Sequence, residues 1–290
     1  MNCYWIQNTE TTLTELRRAS QGVALVPLAS IESHGPHLPL GSDLLCIEHL
    51  VGRVVTEETI AVLPTVIYSS VIEARMLPGA INIRTETLMD LVENVCDEVY
   101  RNGFDKIVLL HGHGGNVALD SAFLKRVLEK EKPYIVYSLP VLAGQWEKIK
   151  PLLETAETGH ACEFETSLNM VARPELVRLD LLGDKTFPTQ PSPQVGSAQT
   201  PIEWNARHPE MAVGEPQKAT REKGEQIIDL WVAGILRDLR LIKQDTITRK
   251  AVQTYIRGAN SIRETNKQIA REIHTYSLTH TQPPARSQGS

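Results

Sequence analysis

Four short, nearly continuous apolar runs punctuate this chain: Val23 to Ala29, Ala61 to Tyr68, Lys106 to Leu110 and Tyr134 to Leu139. Runs of this length without polar alternation suit parallel strands that are covered on both faces. Helical patterns separate them. Between the second and third runs, Leu88, Leu91, Val92, Val95 and Val99 recur at three- and four-residue steps, and Gly103 supplies a C-terminal stop. Strand–helix alternation predicts an α/β fold, a single-domain αβα sandwich with a mostly parallel sheet. The 290 residues suffice for one such domain, placed at residues 1–278. Residues 279–290, rich in Pro, Ser, Gln and Gly, read as a disordered tail.

Composition excludes several classes of function. The net charge is −5, and no stripe of Lys and Arg offers a phosphate-binding face, so no nucleic-acid partner is expected. Met1 to Arg18 lacks a basic head followed by an apolar run, and every apolar stretch falls far short of the roughly 20 residues that span a bilayer. No membrane partner is expected, and the chain reads as cytoplasmic. Cys3, Cys46, Cys96 and Cys162 are scattered without metal-knuckle or dithiol spacing, and read as buried thiols in a reducing compartment.

The chemistry is concentrated where the apolar runs end. Five of the nine histidines fall in three short clusters: Glu32 to His37 closing on Asp43, His111 to Asn116, and His160 to Glu165. In an extended segment residues two apart share a side, so Glu32 and His34 can present a carboxylate and an imidazole together. Gly35 and Pro36 then turn the chain, and Asp43 has two oxygens with which to join neighbouring cations. Ile107 to Leu110 delivers His111 and His113 to the carboxyl edge, where open α/β sheets hold their ligands. His111 reads either as a second ligand or as a residue supporting one. Phe164, Leu168 and Val171 keep helical spacing up to Pro174, so the third cluster opens a helix. Oxygen and nitrogen donors without thiolate suit Zn, Mn, Fe or Ni. Two divalent metal ions per chain are expected, with zinc as the working choice.

Simpler explanations apply elsewhere. His49 and His208 read as surface or hydrogen-bonded side chains. The loop from Gly112 to Asn116 lacks the Lys-Ser/Thr ending of a P-loop and the dinucleotide fingerprint. No Gly-x-Ser-x-Gly elbow provides a serine nucleophile. Gly183 to Pro216 is proline-rich and without periodicity, apart from one prominent aromatic, Trp204, and such segments commonly form lids or subunit contacts. Ala219 to Leu241 reads as a strong helix, with a more polar helical stretch from about Thr246 to Tyr276.

Three motifs resemble those of the creatininase family of metal-dependent amidohydrolases: Glu32-Ser33-His34-Gly35-Pro36-His37-Leu38-Pro39-Leu40-Gly41-Ser42-Asp43, His111-Gly112-His113-Gly114-Gly115-Asn116, and His160-Ala161-Cys162-Glu163-Phe164-Glu165-Thr166-Ser167. The resemblance spans most of the chain and implies a creatininase-like fold and a homohexamer. It implies that Glu32 and His113 hold one metal, that His34 holds the other and that Asp43 bridges them. His160 takes the place of the family's acid/base histidine, and a charge change near neutral pH suits that duty. Creatininases carry a metal-binding glutamate at the position of Gly115, which glycine cannot replace. The motif nominates Glu165 for the missing ligand, whereas helical spacing from His160 favours Glu163. Water is a third option.

The expected function is hydrolysis of a C–N bond in a small cyclic amide or an N-formyl compound by a metal-activated water. One alternative is ring opening of a cyclic polyol ketone by C–C hydrolysis, as in inositol catabolism. Deformylases and a peptide-trimming branch are further relatives. A different class altogether is a non-catalytic oligomer that binds a metabolite. Glu73, Arg75, Gly114 and Asn116 are the candidate contacts to a small-molecule substrate. Many relatives carry a histidine before a Phe-Pro-Gly-Thr turn, whereas this chain reads Glu73-Ala74-Arg75-Met76-Leu77-Pro78-Gly79-Ala80, which speaks against creatinine itself. Arg75 in the pocket would favour an anionic or hydroxyl-rich substrate.

Overall fold

A computed structural model describes residues 1–193 and 195–261. Four strands, β1 (Val23–Leu28), β2 (Ala61–Val62), β3 (Lys106–His111) and β4 (Ile135–Leu139), pair in parallel in the order β2-β1-β3-β4. Nine α-helices are described: α1 (Glu10–Ala19), α2 (Ser42–Glu57), α3 (Thr85–Arg101), α4 (Val117–Glu129), α5 (Trp146–Ile149), α6 (Glu163–Ala172), α7 (Glu203–Arg207), α8 (Arg221–Gln244) and α9 (Thr248–Asn260). Among the described residues no helix is long and apolar enough to cross a membrane.

Every residue of β1 is buried, as its unbroken apolar run requires. Successive side chains point to opposite faces, and the core divides accordingly. Val23, Leu25, Val108 and Leu110 pack with α2, α6 and α8 through Ile47, Leu50, Leu168, Ile228 and Trp231. Ala24, Val26, Ile107 and Leu109 pack on the other side with α1, α3 and α4 through Leu16, Leu88, Val92, Cys96 and Phe123. The sheet is therefore the middle layer of an αβα sandwich, as the alternation of runs and helical patterns predicts.

Strand order fixes where a ligand can sit. β1 lies between β2 and β3, so the chain leaves β1 in one direction through α2 and returns on its other side through α3. The carboxyl ends of β1 and β3 flank this reversal, and Leu28 is in register with His111 there. A crevice opens at such a point because the two following connections diverge.

The second apolar run does not form a strand throughout its length. Pairing stops after Val62, resuming only as an isolated bridge between Leu28 and Val66. Pro64 interrupts it, having no N–H to offer the ladder. The helix expected from Ala219 begins at Arg221, where Thr220 caps it by accepting from the Lys223 amide at 3.2 Å. The polar helical stretch is present as α9 up to Asn260, and its expected continuation to Tyr276, like the tail at 279–290, lies outside the described residues. The proline-rich segment contains α7 and an antiparallel bridge between Phe187 and Gly214.

The helix pair α6–α8 is close enough to demand glycine. A Cβ at Gly224 would stand 2.0 Å from the Ser167 carbonyl oxygen and 2.8 Å from a Val171 methyl. Alanine in a helix gains about 1 kcal/mol over glycine in propensity. Contact with fixed backbone outweighs that gain, since overpacking costs about 1–3 kcal/mol and the neighbour here cannot rotate away. Gly224→Ala should therefore lower stability by about 2 kcal/mol or more, read as a lower urea midpoint, and an unchanged midpoint would refute the close approach.

Candidate active site

Beyond β1 the chain stays extended and places alternate residues Ser30, Glu32 and His34 at the carboxyl edge, all buried. Gly35 then turns it with a φ of +63°, a conformation that favours glycine, in a spot where a Cβ would press on Ala212 and His37 at 3.2 Å. Asp43 stands in the first turn of α2, where the helix dipole favours negative charge. From β3 comes His113, two residues after the strand's last position.

These residues converge on Asp43. One of its oxygens, Oδ1, lies 3.2 Å from His34 Nε2, and the other, Oδ2, lies 2.9 Å from His113 Nδ1. Glu32 Oε1 is also 2.9 Å from His113 Nδ1. Ser30 Oγ donates to Asp43 Oδ2 at 2.8 Å and to Glu32 Oε1 at 3.2 Å. The Glu32 carbonyl accepts from His34 Nδ1 at 3.3 Å, which turns the Nε2 edge toward Asp43 and Glu165.

Burial opposes charge on these groups, yet their mutual attraction prevails. Against burial, the charge and hydrogen bond of Asp43 raise His34 to about 10. Asp43 and Glu32 raise His113 well above the ordinary histidine value. Asp43 and Glu32 are in turn lowered by the imidazoles. A buried group of carboxylates thus draws positive charge to its centre.

The third cluster approaches from α6. His160 Nε2 donates to the Ser33 carbonyl at 2.7 Å, leaving Nδ1 with the lone pair, and its ring stacks on His34 at 4.1 Å. Burial, then the neighbouring His34, lowers His160 to about 4, below the near-neutral value expected from the sequence. Between His160 and the helix, Ala161 adopts a left-handed φ of 47°, and its amide donates to Glu165 Oε2 at 2.5 Å. Burial raises Glu165 to about 7, against the attraction of His34. Glu163 points elsewhere. It accepts from the amides of Glu154 and Thr155 and from Lys223 Nζ at 2.5 Å.

Three overlapping sets have donor atoms within 4.8 Å of one another and could hold a metal ion: Glu32, Asp43 and His113; His34, Asp43 and Glu165; and Glu32, His34 and His160. Imidazole and carboxylate donors, buried and converging, suit borderline divalent cations. Gly115 contributes no donor, and a Cβ there would stand 2.5 Å from His113 Nε2.

A cavity of about 390 Å³ opens over this cluster, lined by Glu32, Glu73, His113, Gly114, Gly115, Gly159, His160, Glu165, Trp204 and Met211. Of the four candidate substrate contacts, Glu73 and Gly114 face it. Arg75 is exposed and does not line it, while Asn116 is buried, accepts from Ser69 Oγ and borders a separate small space beside His111. His111 turns away from the cluster to pair with Asp120 at 2.8 Å and Ser138 at 3.2 Å. Sequence reasoning passed over Ser30, Gly159 and Met211, and set aside His208, which is buried and packs its ring against Trp204 at 4.5 Å. Only Ser30 carried a signal, its place at the end of β1.

The sequence model described as creatinine amidohydrolase, that of the creatininase family, matches residues 9–239. The chain belongs to the creatininase family. It is 26% identical over 245 residues to a creatinine amidohydrolase of Pseudomonas putida, covering 77% of this chain and 90% of that protein. Over 227 residues it is 30% identical to a mycofactocin precursor peptide peptidase of Mycolicibacterium smegmatis, covering 73% and 82%. A solved structure of a mutant creatininase complexed with creatine superposes with a TM-score of 0.71 at 25% identity, covering 84% of this chain and all of that one. Creatininase-family proteins are metal-dependent amidohydrolases, and this chain is an enzyme of that kind.

The separation of the two glutamates is testable. Glu163 is fully buried, and Lys223 is only 15% exposed at the side chain. Removing this carboxylate strips the Glu154 and Thr155 amides of their buried acceptor, at a cost of about 1–3 kcal/mol, while Lys223 keeps the Glu154 carboxylate at 2.7 Å and the Lys218 carbonyl at 2.8 Å. Glu163→Ala should lower the unfolding free energy by about that amount in chemical denaturation, and an unaltered value would show that the two amides find other partners.

Proposed function

We propose that this enzyme hydrolyses a C–N bond in a small cyclic amide or N-formyl compound, using two divalent metal ions. The observation that carries this reading is the sharing of Asp43 between two donor sets, one with Glu32 and His113, the other with His34 and Glu165. In this reading the first set would hold one ion and the second set the other, with Asp43 common to both sets. Glu165 stands in for the glutamate that creatininases carry at the position of Gly115. Zinc fits these donors, as do manganese, iron and nickel.

Bound there, the ions would supply an acidified water and polarise a carbonyl oxygen. The chain's own residues do the rest. Glu32, Asp43 and Glu165 balance the positive charge of the ions, and the Glu32 carbonyl holds the His34 ring so that Nε2 remains available. His160 is fixed by the Ser33 carbonyl with the Nδ1 lone pair free, so Nδ1 accepts a proton at the attacking step and returns it to the leaving nitrogen. Trp204 and Met211 add apolar surface to the cavity wall beside these groups. The two relatives, an amidohydrolase and a peptide peptidase, are both named for cleavage at an amide bond, which supports C–N chemistry. We further propose that the protein works in the cytoplasm as a homohexamer, and exposed Leu40, Ile72, Met76 and Ile81 offer apolar surface for such contacts.

Asp43→Ala should release both ions, measured by elemental analysis, and abolish amide hydrolysis while the circular dichroism of the fold persists. Full activity in that variant would remove the shared carboxylate from the mechanism. His160→Ala should retain the metal and lose about 10²-fold or more in rate, whereas loss of metal would reassign His160 as a ligand. Turnover of a keto-inositol, with none of lactams or formamides, would replace C–N cleavage with ring opening.

A further inference from the structure

Three carboxylates line the cavity, those of Glu32, Glu73 and Glu165, and among the described residues neither Lys nor Arg lines it. Two of the three are engaged in the central cluster. Glu32 lies against His113, and Glu165 against His34 and the Ala161 amide. Among the described residues, no hydrogen bond or ion pair satisfies the Glu73 side chain. The sequence made Arg75 a contact for an anionic or hydroxyl-rich substrate were it to enter the pocket; Arg75 is exposed and does not line the cavity, whereas Glu73, two residues earlier, does.

Glu73 does not stand alone on that wall. Asn205 Nδ2 donates to the Glu73 carbonyl at 2.8 Å, tying the short helix at residues 72–76 to α7, whose Trp204 lines the same cavity. The indole is braced by His208 and meets His160 edge-on at 6.4 Å. One wall thus offers a carboxylate and an aromatic ring, two groups that attract a cation and give nothing to an anion.

We propose that the substrate carries a positively charged nitrogen group, an ammonium or guanidinium, which Glu73 and Trp204 hold while the scissile amide lies over the central cluster. The inference rests on the C–N hydrolysis proposed above and names the substrate class. An anionic group at the same wall would face Glu73, and among the described residues no Lys or Arg lines the cavity to receive it. A cavity of about 390 Å³ is of the size that receives a small molecule.

The test uses zinc-loaded, full-length protein and two probes of equal length, N-(5-aminopentyl)formamide and neutral N-hexylformamide. Calorimetric binding is measured in His160→Ala, and kcat/KM in the otherwise unaltered enzyme. The cationic probe should bind at least about tenfold more tightly, the effect of one desolvated charge contact. Adding Glu73→Gln should bring the ratio close to one, and Glu73→Lys should invert it, with thermal midpoints confirming that each variant is folded. Equal binding of the two probes, failure of the cationic probe to bind, or a ratio unaltered by Glu73→Gln would overturn the proposal. Preferential binding without turnover of either probe would keep the cation site and reject formamide hydrolysis, so the two readings fail separately.

Discussion

The site is organised by one buried carboxylate that faces two imidazoles at once. Asp43 directs one oxygen to His34 and the other to His113, and these partners arrive from different connections of the sheet. Such a group is costly to bury unless positive charge meets both oxygens. That requirement explains the rest of the arrangement. Ser30 donates to Asp43 and Glu32 together, α2 directs its positive end at Asp43, and the Glu32 carbonyl orients the ring of His34. Remove the shared carboxylate and the two donor sets become unrelated.

The sheet makes this convergence possible. Because β1 has β2 on one side and β3 on the other, the loops leaving β1 and β3 part company and leave a crevice between them. β1 is apolar throughout and β3 is apolar from Ile107 to Leu110, and both are layered between helices, so the residues immediately after them are positioned by the core itself. The third contribution, from α6, depends on the close approach of α8 at Gly224 and on the anchoring of Glu163 by Lys223.

Much of this was legible in the sequence because the patterns are local. The apolar runs mark three strands almost to the residue, and polar clusters at the ends of two of them mark the catalytic edge. Where local rules failed, a specific feature defeated them. Pro64 truncated the second run, since its missing N–H leaves the pairing incomplete. Helical spacing pointed from His160 to Glu163, but the left-handed turn at Ala161 separates His160 from the helix, so that spacing does not apply and Glu165 faces the cluster instead. Glu73 and Trp204 were each legible, one as a candidate substrate contact and the other in a segment of lid or subunit-contact character, but their meeting on one wall was not, because they are 131 positions apart and are joined by a contact between an asparagine amide and a main-chain carbonyl, which leaves no periodic trace.

That contact has an evolutionary consequence. The cluster proposed to cleave the bond is carried by segments following β1 and β3 and by α6, whereas the wall proposed to meet the remainder of the substrate is carried by the turn at 72–76 and by α7. Replacing Glu73 leaves the three donor sets unaltered, since it belongs to none of them. An ancestral hydrolase with this division of labour could diversify its diet by editing two surface excursions, keeping its reactive machinery intact throughout.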